Sequence, residues 1–409
     1  MRVNISSITL LLIISMFFTF PRHATCQVNQ FGGPDRNGIY PDTGLMDQWP
    51  EGGPELLATF SGIGEGYGSP AVNKDGVYIA GMIDSIGHVF HFNHDQELLW
   101  QTPIGKEFTY RYIGSRGTPT IDGDRLYYVA SMGEAACLNT KTGEKIWSRN
   151  TIEEFNGPEI KWGYTESPLV YEDKVFLTPG GPHKNFIALD KMTGELIWAA
   201  DFDSTYNVYC SPLIVNHNGE DLILVNTSDY LLMLKPGSGE PVVKHPITHS
   251  RENHTIPPIY DDGKLFYASG YGEGATLFQI KDGQLELDTI YRNDEFDPRM
   301  SGIFNYDGVV YGFTHRRKMW MGVDYETGET LFQNRDYGRG CLILADDKFY
   351  IYTDKGDVSL ALPAKTKIEL VSQFQIPAGT ATFAFAYPVI YDGKLYIRYN
   401  NDLWVYKIQ

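Results

Sequence analysis

A short phrase recurs eight times along this chain of 409 residues, and the repetition constrains the fold more than any other feature. The clearest copies begin with Ser-Pro or Thr-Pro, pass through a turn at Asp122-Gly123 or Glu172-Asp173, and end in Thr-Gly-Glu followed three residues later by Trp. A period of about 40–50 residues rich in short strands is typical of a β-propeller with one four-stranded blade per repeat. Successive copies lie 39 to 49 residues apart and are anchored at Pro70, Pro119, Pro168, Pro212, Pro258, Gly302, Cys341 and Pro388. The sequence therefore predicts an all-β protein, an eight-bladed propeller of antiparallel blades.

Two tight turns, often with glycine, and frequently a terminal aromatic residue divide the repeats into their strands. In the third repeat the later turn is Thr193-Gly194, and the strand after it ends at Trp198. Glycine accepts a positive φ without steric cost, which suits it to the tight turns between antiparallel strands. A large ring at one place per blade predicts a wedge between neighbouring blades. We expect the tryptophans that end the fourth strands, Trp100, Trp147 and Trp198, to stabilise the ring and to have no role in a site.

The last repeat lacks a fourth strand, and the residues before the first repeat supply a candidate. The final strand, at residues 403–406, is followed almost at once by the end of the sequence, whereas residues 55–60 resemble the fourth strand at residues 97–100. Pairing the two ends in one blade closes the ring and removes two free sheet edges. We therefore predict a propeller over residues 55–409, closed by its N-terminal strand. Residues 27–54 are then an arm that reaches this strand.

Residues 1–26 have the pattern of a targeting segment. Arg2 is followed by an apolar run over residues 8–20 and by small residues up to Cys26. This pattern predicts a secretory signal peptide cleaved after Cys26. The alternative is cleavage before Cys26 with a lipid on its thiol, as in bacterial lipoproteins. No later segment is apolar enough to span a bilayer, so we expect an exported protein in the periplasm or associated with the outer membrane.

Charge and cysteine content exclude several classes of function. The formal net charge is −17, and removal of residues 1–26 takes away two arginines and no acids, which makes it −19. So acidic a protein repels nucleic acid and anionic lipid. The remaining cysteines, Cys137, Cys210 and Cys341, fall in three different repeats and form no CxxC pair. This spacing excludes a haem attachment site or a zinc ribbon and predicts buried, unpaired thiols.

The loops that lead into the first strand of each blade carry arginines and aromatic residues. In a propeller these leading loops share one face, here called the upper face, beside the central channel. One interpretation is that the side chains pack blade against blade; the other is that they form a recognition surface for a ligand or partner, because guanidinium groups bind carboxylates in a bidentate manner. No nucleophile motif, metal triad or carboxylate pair is present, so no catalytic residue and no metal ligand is predicted. The candidate binding residues are Arg111, Arg116, Trp162, Tyr209, Arg299 and Arg339.

The repeat resembles that of a known family. Residues 187–198 read Ile-Ala-Leu-Asp-Lys-Met-Thr-Gly-Glu-Leu-Ile-Trp and resemble the repeat of the pyrroloquinoline quinone (PQQ)-like β-propeller family. Residues 32–38 resemble the opening of secreted bacterial members. The family includes quinoprotein dehydrogenases, which bind PQQ and calcium in the central channel and oxidise alcohols or sugars. It also includes non-enzymatic propellers such as the BamB-type accessory protein, which helps to assemble outer-membrane β-barrels.

The chain lacks features that the dehydrogenases share, namely their greater length and their vicinal cysteine pair. The resemblance therefore implies a non-enzymatic binding or scaffolding propeller in outer-membrane or cell-envelope protein assembly. Such a protein would act as a monomer, without a cofactor, on a periplasmic or outer-membrane partner. The alternative is a PQQ-dependent alcohol or sugar dehydrogenase with calcium, or a binder of a small anionic ligand or carbohydrate in the channel.

Overall fold

The repeats fold into eight antiparallel sheets that pack around a central channel. The structure is a computed structural model that describes residues 30–203, 205–206, 209–247, 254–377 and 386–409. Within these residues the eight sheets follow the eight sequence repeats in order, which confirms the predicted eight-bladed propeller. The predicted signal peptide, including Cys26, lies outside the described residues. The division of the chain at residues 26 and 54 stays a prediction.

Within each blade the strands of the repeat are arranged in sequence order, with the first strand nearest the channel and the last on the outside. Two strands precede the first repeat: β1 Ile39–Tyr40 and β2 Leu56–Ser61. Blades 1 and 2 contain β3 Ala71–Asn73, β4 Gly76–Ile83, β5 Ile86–Phe92, β6 Leu98–Lys106, β7 Thr120–Asp122, β8 Arg125–Val129, β9 Glu134–Asn139 and β10 Lys145–Asn150. Blades 3 and 4 contain β11 Leu169–Tyr171, β12 Lys174–Leu177, β13 Phe186–Asp190, β14 Leu196–Ala200, β15 Leu213–His217, β16 Glu220–Asn226, β17 Tyr230–Leu234 and β18 Pro241–Pro246.

The second half of the ring repeats this order. Blades 5 and 6 contain β19 Ile259–Asp261, β20 Lys264–Ser269, β21 Gly274–Gln279, β22 Asp288–Asn293, β23 Phe304–Tyr306, β24 Val309–Thr314, β25 Met319–Asp324 and β26 Thr330–Asn334. Blades 7 and 8 contain β27 Gly340–Ala345, β28 Lys348–Thr353, β29 Asp357–Ala364, β30 Lys367–Gln375, β31 Val389–Tyr391, β32 Lys394–Tyr399 and β33 Asp402–Lys407.

One short helix interrupts the β-structure, α1 Thr151–Phe155, between blades 2 and 3. The Asn150 side chain caps it by accepting hydrogen bonds from the backbone N–H groups of Ile152 and Glu153 at 3.0 and 3.1 Å. The sequence did not predict this helix, because one turn is too short to show a helical period. No helix in the described part of the chain has the length and apolar character needed to cross a bilayer.

Closure of the ring follows the prediction. Strand β2 pairs antiparallel with β33, so that Thr59 lies opposite Trp404 and Phe60 opposite Leu403. Phe60 is buried and also meets Phe92 of blade 1, with ring centroids 5.3 Å apart. The N-terminal strand thus completes blade 8 and packs it against blade 1.

The tryptophans at the ends of the fourth strands, Trp100, Trp147 and Trp198, lie between blades, as predicted. Trp147 donates from Nε1 to the carbonyl oxygen of Lys191 in the next blade at 3.1 Å. A Cβ built on Gly194, which has φ +72°, would lie 2.6 Å from the Trp147 ring. The glycine of each Thr-Gly turn therefore leaves space for the wedge of the preceding blade as well as allowing the turn.

In blades 1 to 4 the Ser or Thr hydroxyl group before the anchor proline links successive blades near the channel. The backbone N–H of Ser69 donates to Thr118 Oγ1 at 3.1 Å. That of Thr118 donates to Ser167 Oγ at 3.0 Å, and that of Ser167 to Ser211 Oγ at 2.9 Å. The Ser-Pro and Thr-Pro elements of blades 1 to 4 therefore hold the upper ends of the innermost strands in a fixed arrangement.

The arm enters the channel, which the sequence did not predict. Strand β1 pairs in parallel with β27, where Ile39 lies opposite Leu344, and adds a fifth strand to blade 7. On the opposite side of the channel, Arg36 donates from Nη2 to the Ser167 carbonyl oxygen at 2.6 Å and from Nη1 to the Pro168 carbonyl oxygen at 3.0 Å. These contacts fix the arm across the ring.

Beyond the channel the arm packs on the outer part of blades 7 and 8. The buried Trp49 ring meets those of Tyr350 and Phe374, with centroids 6.1 and 5.3 Å apart. The backbone N–H of Met46 donates to the Ile408 carbonyl oxygen at 2.7 Å. The described part of the arm is therefore an integral part of the propeller.

Candidate functional site

The upper face opens into a cavity of about 530 Å³ at the mouth of the channel, here called the channel-mouth cavity. All six residues predicted from the sequence line it: Arg111, Arg116, Trp162, Tyr209, Arg299 and Arg339. They come from the loops that lead into blades 2, 3, 4, 6 and 7. The structure thus brings together side chains that are far apart in sequence. Their binding of a ligand or partner stays a prediction.

Arg116 lies in the wall of the cavity beside blade 2. Its Nη2 donates to the carbonyl oxygens of Arg111 and Tyr112 at 3.2 and 2.8 Å, and its guanidinium lies 4.9 Å from the Phe108 ring centroid. Burial lowers the pKa of Arg116, and the nearby Glu107 carboxylate opposes that shift. Its buried Nε has no hydrogen-bond acceptor among the described residues. Arg116 is therefore held in place but not neutralised by a direct ion pair within that set.

Arg299 occupies the wall beside blade 6, which lies opposite blade 2 in a ring of eight. Its guanidinium lies 4.9 Å from the ring centroid of Tyr271, which also lines the cavity. In the described part of the chain the buried Nε of Arg299 has no acceptor and no carboxylate forms an ion pair with it. Two arginines from opposite blades, neither in an ion pair within the described residues, therefore line the same cavity.

The other two arginines differ in their surroundings. Arg339 donates from Nε and Nη2 to Asp354 Oδ2 at 2.9 and 2.6 Å, so its charge is paired within its own blade. The Arg111 guanidinium lies 5.6 Å from the centroid of the Tyr110 ring, and Tyr110 is 74% exposed. Arg339 has the character expected of a structural ion pair, whereas Arg111 extends the basic surface outward.

Aromatic rings form much of the remaining wall. Trp162 meets Phe108 and Tyr112 edge to face, with centroids 6.4 and 6.1 Å apart. Tyr209 adopts φ +76°, a left-handed conformation that is uncommon for a tyrosine. It packs partly against the core of blades 2 and 3. Trp162 and Tyr209 thus have packing partners as well as surface that faces the cavity.

The floor of the cavity combines Phe31 of the arm with Tyr387 of the loop that leads into blade 8, and no sequence pattern predicted that the arm reaches this place. Phe31 meets Tyr387 edge to face with centroids 5.4 Å apart, and both rings line the cavity. The same two rings line a second cavity of about 470 Å³ on the far side of the arm, which Arg36 also borders. The arm therefore separates two spaces, and the channel-mouth cavity is a pocket with a floor. Asp354 and Tyr67 are further lining residues that the sequence reasoning missed.

Charge in the channel-mouth cavity has the opposite sign to that of the whole protein. Among the described residues, four arginines and one aspartate line it, whereas the chain carries a net charge of −17. Charges in a cleft with low-dielectric walls focus the local potential and attract ions of the opposite sign. The geometry is thus suited to an anionic group with an apolar or aromatic neighbour.

The lining residues do not fit a calcium ion. Calcium takes six to eight oxygen ligands, usually including several carboxylates. Asp354 is the one carboxylate among the described lining residues, and Arg339 already pairs with it. In the part of the chain that the structure describes, no group of three or more His, Cys, Asp or Glu residues is arranged to hold a metal ion.

The cysteines are buried and free, as predicted for Cys137, Cys210 and Cys341. Cys341 lines the cavity, and burial raises the pKa of its thiol. A raised pKa disfavours the thiolate, which is the nucleophilic form. Cys341 therefore has the character of a small core residue.

Comparison with known proteins identifies relatives of a large part of the ring. The profile of the family described as outer membrane protein assembly factor BamB matches residues 85–359. A protein of that name from Kangiella koreensis is 26% identical over 211 residues, which are 50% of this chain and 48% of the relative. The match thus spans about half the length of that relative.

Two further likenesses concern the fold and the second branch of the family. The crystal structure of BamB from Moraxella catarrhalis superposes with a TM-score of 0.63 at 15% identity, covering 87% of this chain and 100% of that one. At that identity the likeness shows the fold alone. The quinohemoprotein alcohol dehydrogenase ADH IIB of Pseudomonas putida is 34% identical over 80 residues, which are 19% of this chain and 11% of the enzyme.

Proposed function

The chain belongs to the family of the outer membrane protein assembly factor BamB, and on that premise we propose that it is an exported, non-enzymatic binding propeller. It acts as a scaffold in outer-membrane or cell-envelope protein assembly, at the periplasmic side of the outer membrane. The observation that carries this proposal is the family match over residues 85–359, which extends from blade 1 into blade 7. The upper face is the docking surface, because its leading loops gather arginine and aromatic side chains.

The structure of the upper face supports a protein partner. Tyr110, Tyr112 and Ile113 are 74%, 41% and 40% exposed on one leading loop, beside the channel-mouth cavity. Arginine and tyrosine are enriched in protein interfaces, and exposed apolar clusters mark interaction sites. The partner we propose is a periplasmic or outer-membrane protein, bound by one copy of this chain.

Site-directed photo-cross-linking tests this function. A photoreactive amino acid is placed at Tyr112 on the upper face and, as the matched control, at Lys141, which is exposed in a turn at the opposite face. In a Gram-negative host exporting the protein, the Tyr112 position is expected to capture outer-membrane or assembly proteins that mass spectrometry identifies. Equal capture from both positions, or recovery of only abundant soluble periplasmic proteins, contradicts the proposal.

The dehydrogenase alternative is tested separately. The match to ADH IIB covers 11% of that enzyme, and the cavity does not fit calcium, so we derive no reaction through PQQ. Purified protein mixed with PQQ and calcium is expected to show no dye-linked oxidation of alcohols or sugars. Turnover that depends on both additives would favour the dehydrogenase over the scaffold.

A further inference from the structure

Two arginines of the channel-mouth cavity have no carboxylate in direct contact among the described residues. Arg116 and Arg299 come from blades 2 and 6, which lie on opposite sides of the ring, and both line the same space. Neither forms an ion pair with a carboxylate in the described residues, and each has a buried Nε without an acceptor there. A partly buried cation without an anion in contact is less favourable than one that is paired. The arrangement is therefore incomplete without a negative partner.

Groups around Arg116 hold its guanidinium in a defined position. The carbonyl oxygens of Arg111 and Tyr112 accept its Nη2 protons, and the Phe108 ring lies against its face. Behind the wall, Glu107 accepts hydrogen bonds from Ser115 Oγ, Tyr128 OH and the Ser131 backbone N–H at 2.8 Å each. That carboxylate is already satisfied by three donors, so a second anion is needed to engage the Arg116 side chain directly. A guanidinium that is fixed in this way loses less entropy on binding a carboxylate.

The surroundings of Arg116 and Arg299 also indicate what kind of molecule would carry a carboxylate bound by them. The floor is the Phe31 and Tyr387 ring pair, and the wall between the arginines includes Trp162 and Tyr209. From this wall the loop with Tyr110, Tyr112 and Ile113 continues outward with these side chains exposed. A small free acid would fill the cavity and leave this loop uncovered. An extended chain fills the cavity with an acidic side chain and covers the loop with its apolar neighbours.

We propose that the channel-mouth cavity is a carboxylate-binding site for an extended acidic peptide segment of a partner protein. Arg116 and Arg299 bind the carboxylates, and the aromatic wall together with residues 110–113 contacts the apolar side chains between them. Aspartate or glutamate alternating with tyrosine or leucine has this chemistry, because alternate side chains of an extended chain point the same way. The inference rests on the proposed function, since it concerns the part of a partner that the upper face receives.

Fluorescence anisotropy with two labelled peptides tests this inference. One five-residue peptide alternates glutamate with tyrosine, and the other has glutamine at each glutamate position. We expect the glutamate peptide to bind the full mature chain at least tenfold more tightly than the glutamine peptide, with an affinity that falls as salt is added. Equal binding of the two peptides overturns the proposal.

Substitutions of single arginines test where the glutamate peptide binds. Arg116→Gln and Arg299→Gln are each expected to weaken the glutamate peptide at least tenfold. Arg335→Gln is the matched control, because Arg335 is exposed on the leading loop of blade 7 and does not line the cavity. It removes the same charge and is expected to change affinity less than twofold. A control effect as large as that of the cavity variants overturns the proposal.

Two further measurements keep the result interpretable. Arg116→Lys and Arg299→Lys keep the charge but lose the planar fork, and we expect partial weakening with an unchanged melting temperature. Citrate supplies carboxylates without a peptide chain; if it binds as tightly as the glutamate peptide and competes with it, the occupant is a small acid and the peptide proposal is wrong. If the Gln variants still cross-link the same envelope proteins through position 112, the scaffold function stands and this inference fails.

Discussion

Arg36 donates from Nη2 to the carbonyl oxygen of Ser167 at 2.6 Å, across the channel and over a separation of 131 residues. Ser167 accepts through its hydroxyl from the backbone of Thr118, so one residue joins the arm to the linkage between blades. Arg36 is 3% exposed, and burial lowers its pKa to about 10. The arginine stays charged at neutral pH and stabilises the arm as the floor of the cavity.

Replacement of Arg36 is therefore expected to destabilise the propeller. Arg36→Met keeps much of the volume but leaves the buried carbonyl oxygens of Ser167 and Pro168 without these donors. Unsatisfied buried groups and lost charged hydrogen bonds predict a decrease of about 2–4 kcal/mol in the free energy of unfolding, measured by urea denaturation. Arg125→Met is the control, since Arg125 pairs with the exposed Asp124, and we expect it to change stability by less than about 1 kcal/mol. Equal effects would show that Arg36 does not stabilise the arm.

Two substitutions in β2 test whether this N-terminal strand stabilises the closed ring. Phe60 is 4% exposed between blades 8 and 1, whereas Leu57 is 40% exposed on the same strand. Phe60→Ala is expected to lower the free energy of unfolding by about 3–5 kcal/mol because it leaves a cavity between blades. Leu57→Ala is expected to lower it by less than about 1 kcal/mol. Similar small effects from both variants would contradict a closure that stabilises the ring.

Alanine substitutions at two glycines distinguish the loss of stability caused by backbone strain in the turn from the loss caused by a clash with the tryptophan wedge. Gly194 and Gly283 occupy equivalent turns with φ +72° and +75°, but a Cβ on Gly194 would lie 2.6 Å from the Trp147 ring, whereas none of the described residues comes within 4 Å of a Cβ on Gly283. Gly283→Ala is expected to cost about 1–2 kcal/mol from the left-handed backbone alone. Gly194→Ala is expected to cost about 1–3 kcal/mol more, because the added methyl group displaces the tryptophan. Thermal and urea denaturation of the pair measure this difference, and equal losses would remove the wedge from the explanation.

Acidification is expected to destabilise the protein through His91. This ring is 3% exposed, stacks on Tyr78 with centroids 3.9 Å apart, and contacts the Asp75 carbonyl oxygen through Nε2 at 3.3 Å. Burial lowers the pKa of His91 below the ordinary 6.5. The unfolded chain therefore binds this proton first as the pH falls, and stability present above pH 6.5 is lost between 6.5 and the lower folded-state pKa, with a slope of at most about 1.4 kcal/mol per pH unit.

The variant His91→Phe keeps an aromatic ring in this stack and removes the titration. Urea denaturation between pH 7 and pH 5 is expected to show a weaker dependence on pH for the variant than for the natural protein. Burial also lowers the pKa of His245, so part of the pH dependence is expected to persist in His91→Phe and to decrease further when His245 is replaced as well. An unchanged pH dependence in His91→Phe would assign the effect to other groups.

Local patterns were sufficient to predict the ring. Each blade is encoded within one repeat by alternating strands, turn glycines such as Gly194, and a wedge such as Trp147, so the eight sheets follow from short-range pattern. The sequence also predicted the closing strand, because the last repeat lacks a fourth strand and the residues that form β2 resemble one. The fifth strand of blade 7 was not predicted, since a two-residue strand such as Ile39–Tyr40 has no readable period.

The sequence predicted which residues line the candidate site, but not which of its arginines are paired with a carboxylate. Topology places all leading loops at one channel mouth, and the six predicted residues do line one cavity there. The sequence did not show that Arg339 is paired with Asp354 while Arg116 and Arg299 have no such partner in the described residues. Such pairing depends on contacts between loops of different strands and blades.

The sequence by itself determined the eight-bladed architecture, the closing strand and the gathering of arginine and aromatic side chains on the upper face, because each follows from a repeated local pattern and from ring geometry. Only the tertiary structure decided that the arm crosses the channel, that Phe31 and Tyr387 form a floor, and that two guanidinium groups face one space. The reason is that Arg36 and Ser167 meet across 131 residues and across the ring, and the free energy of such a contact depends on both partners at once.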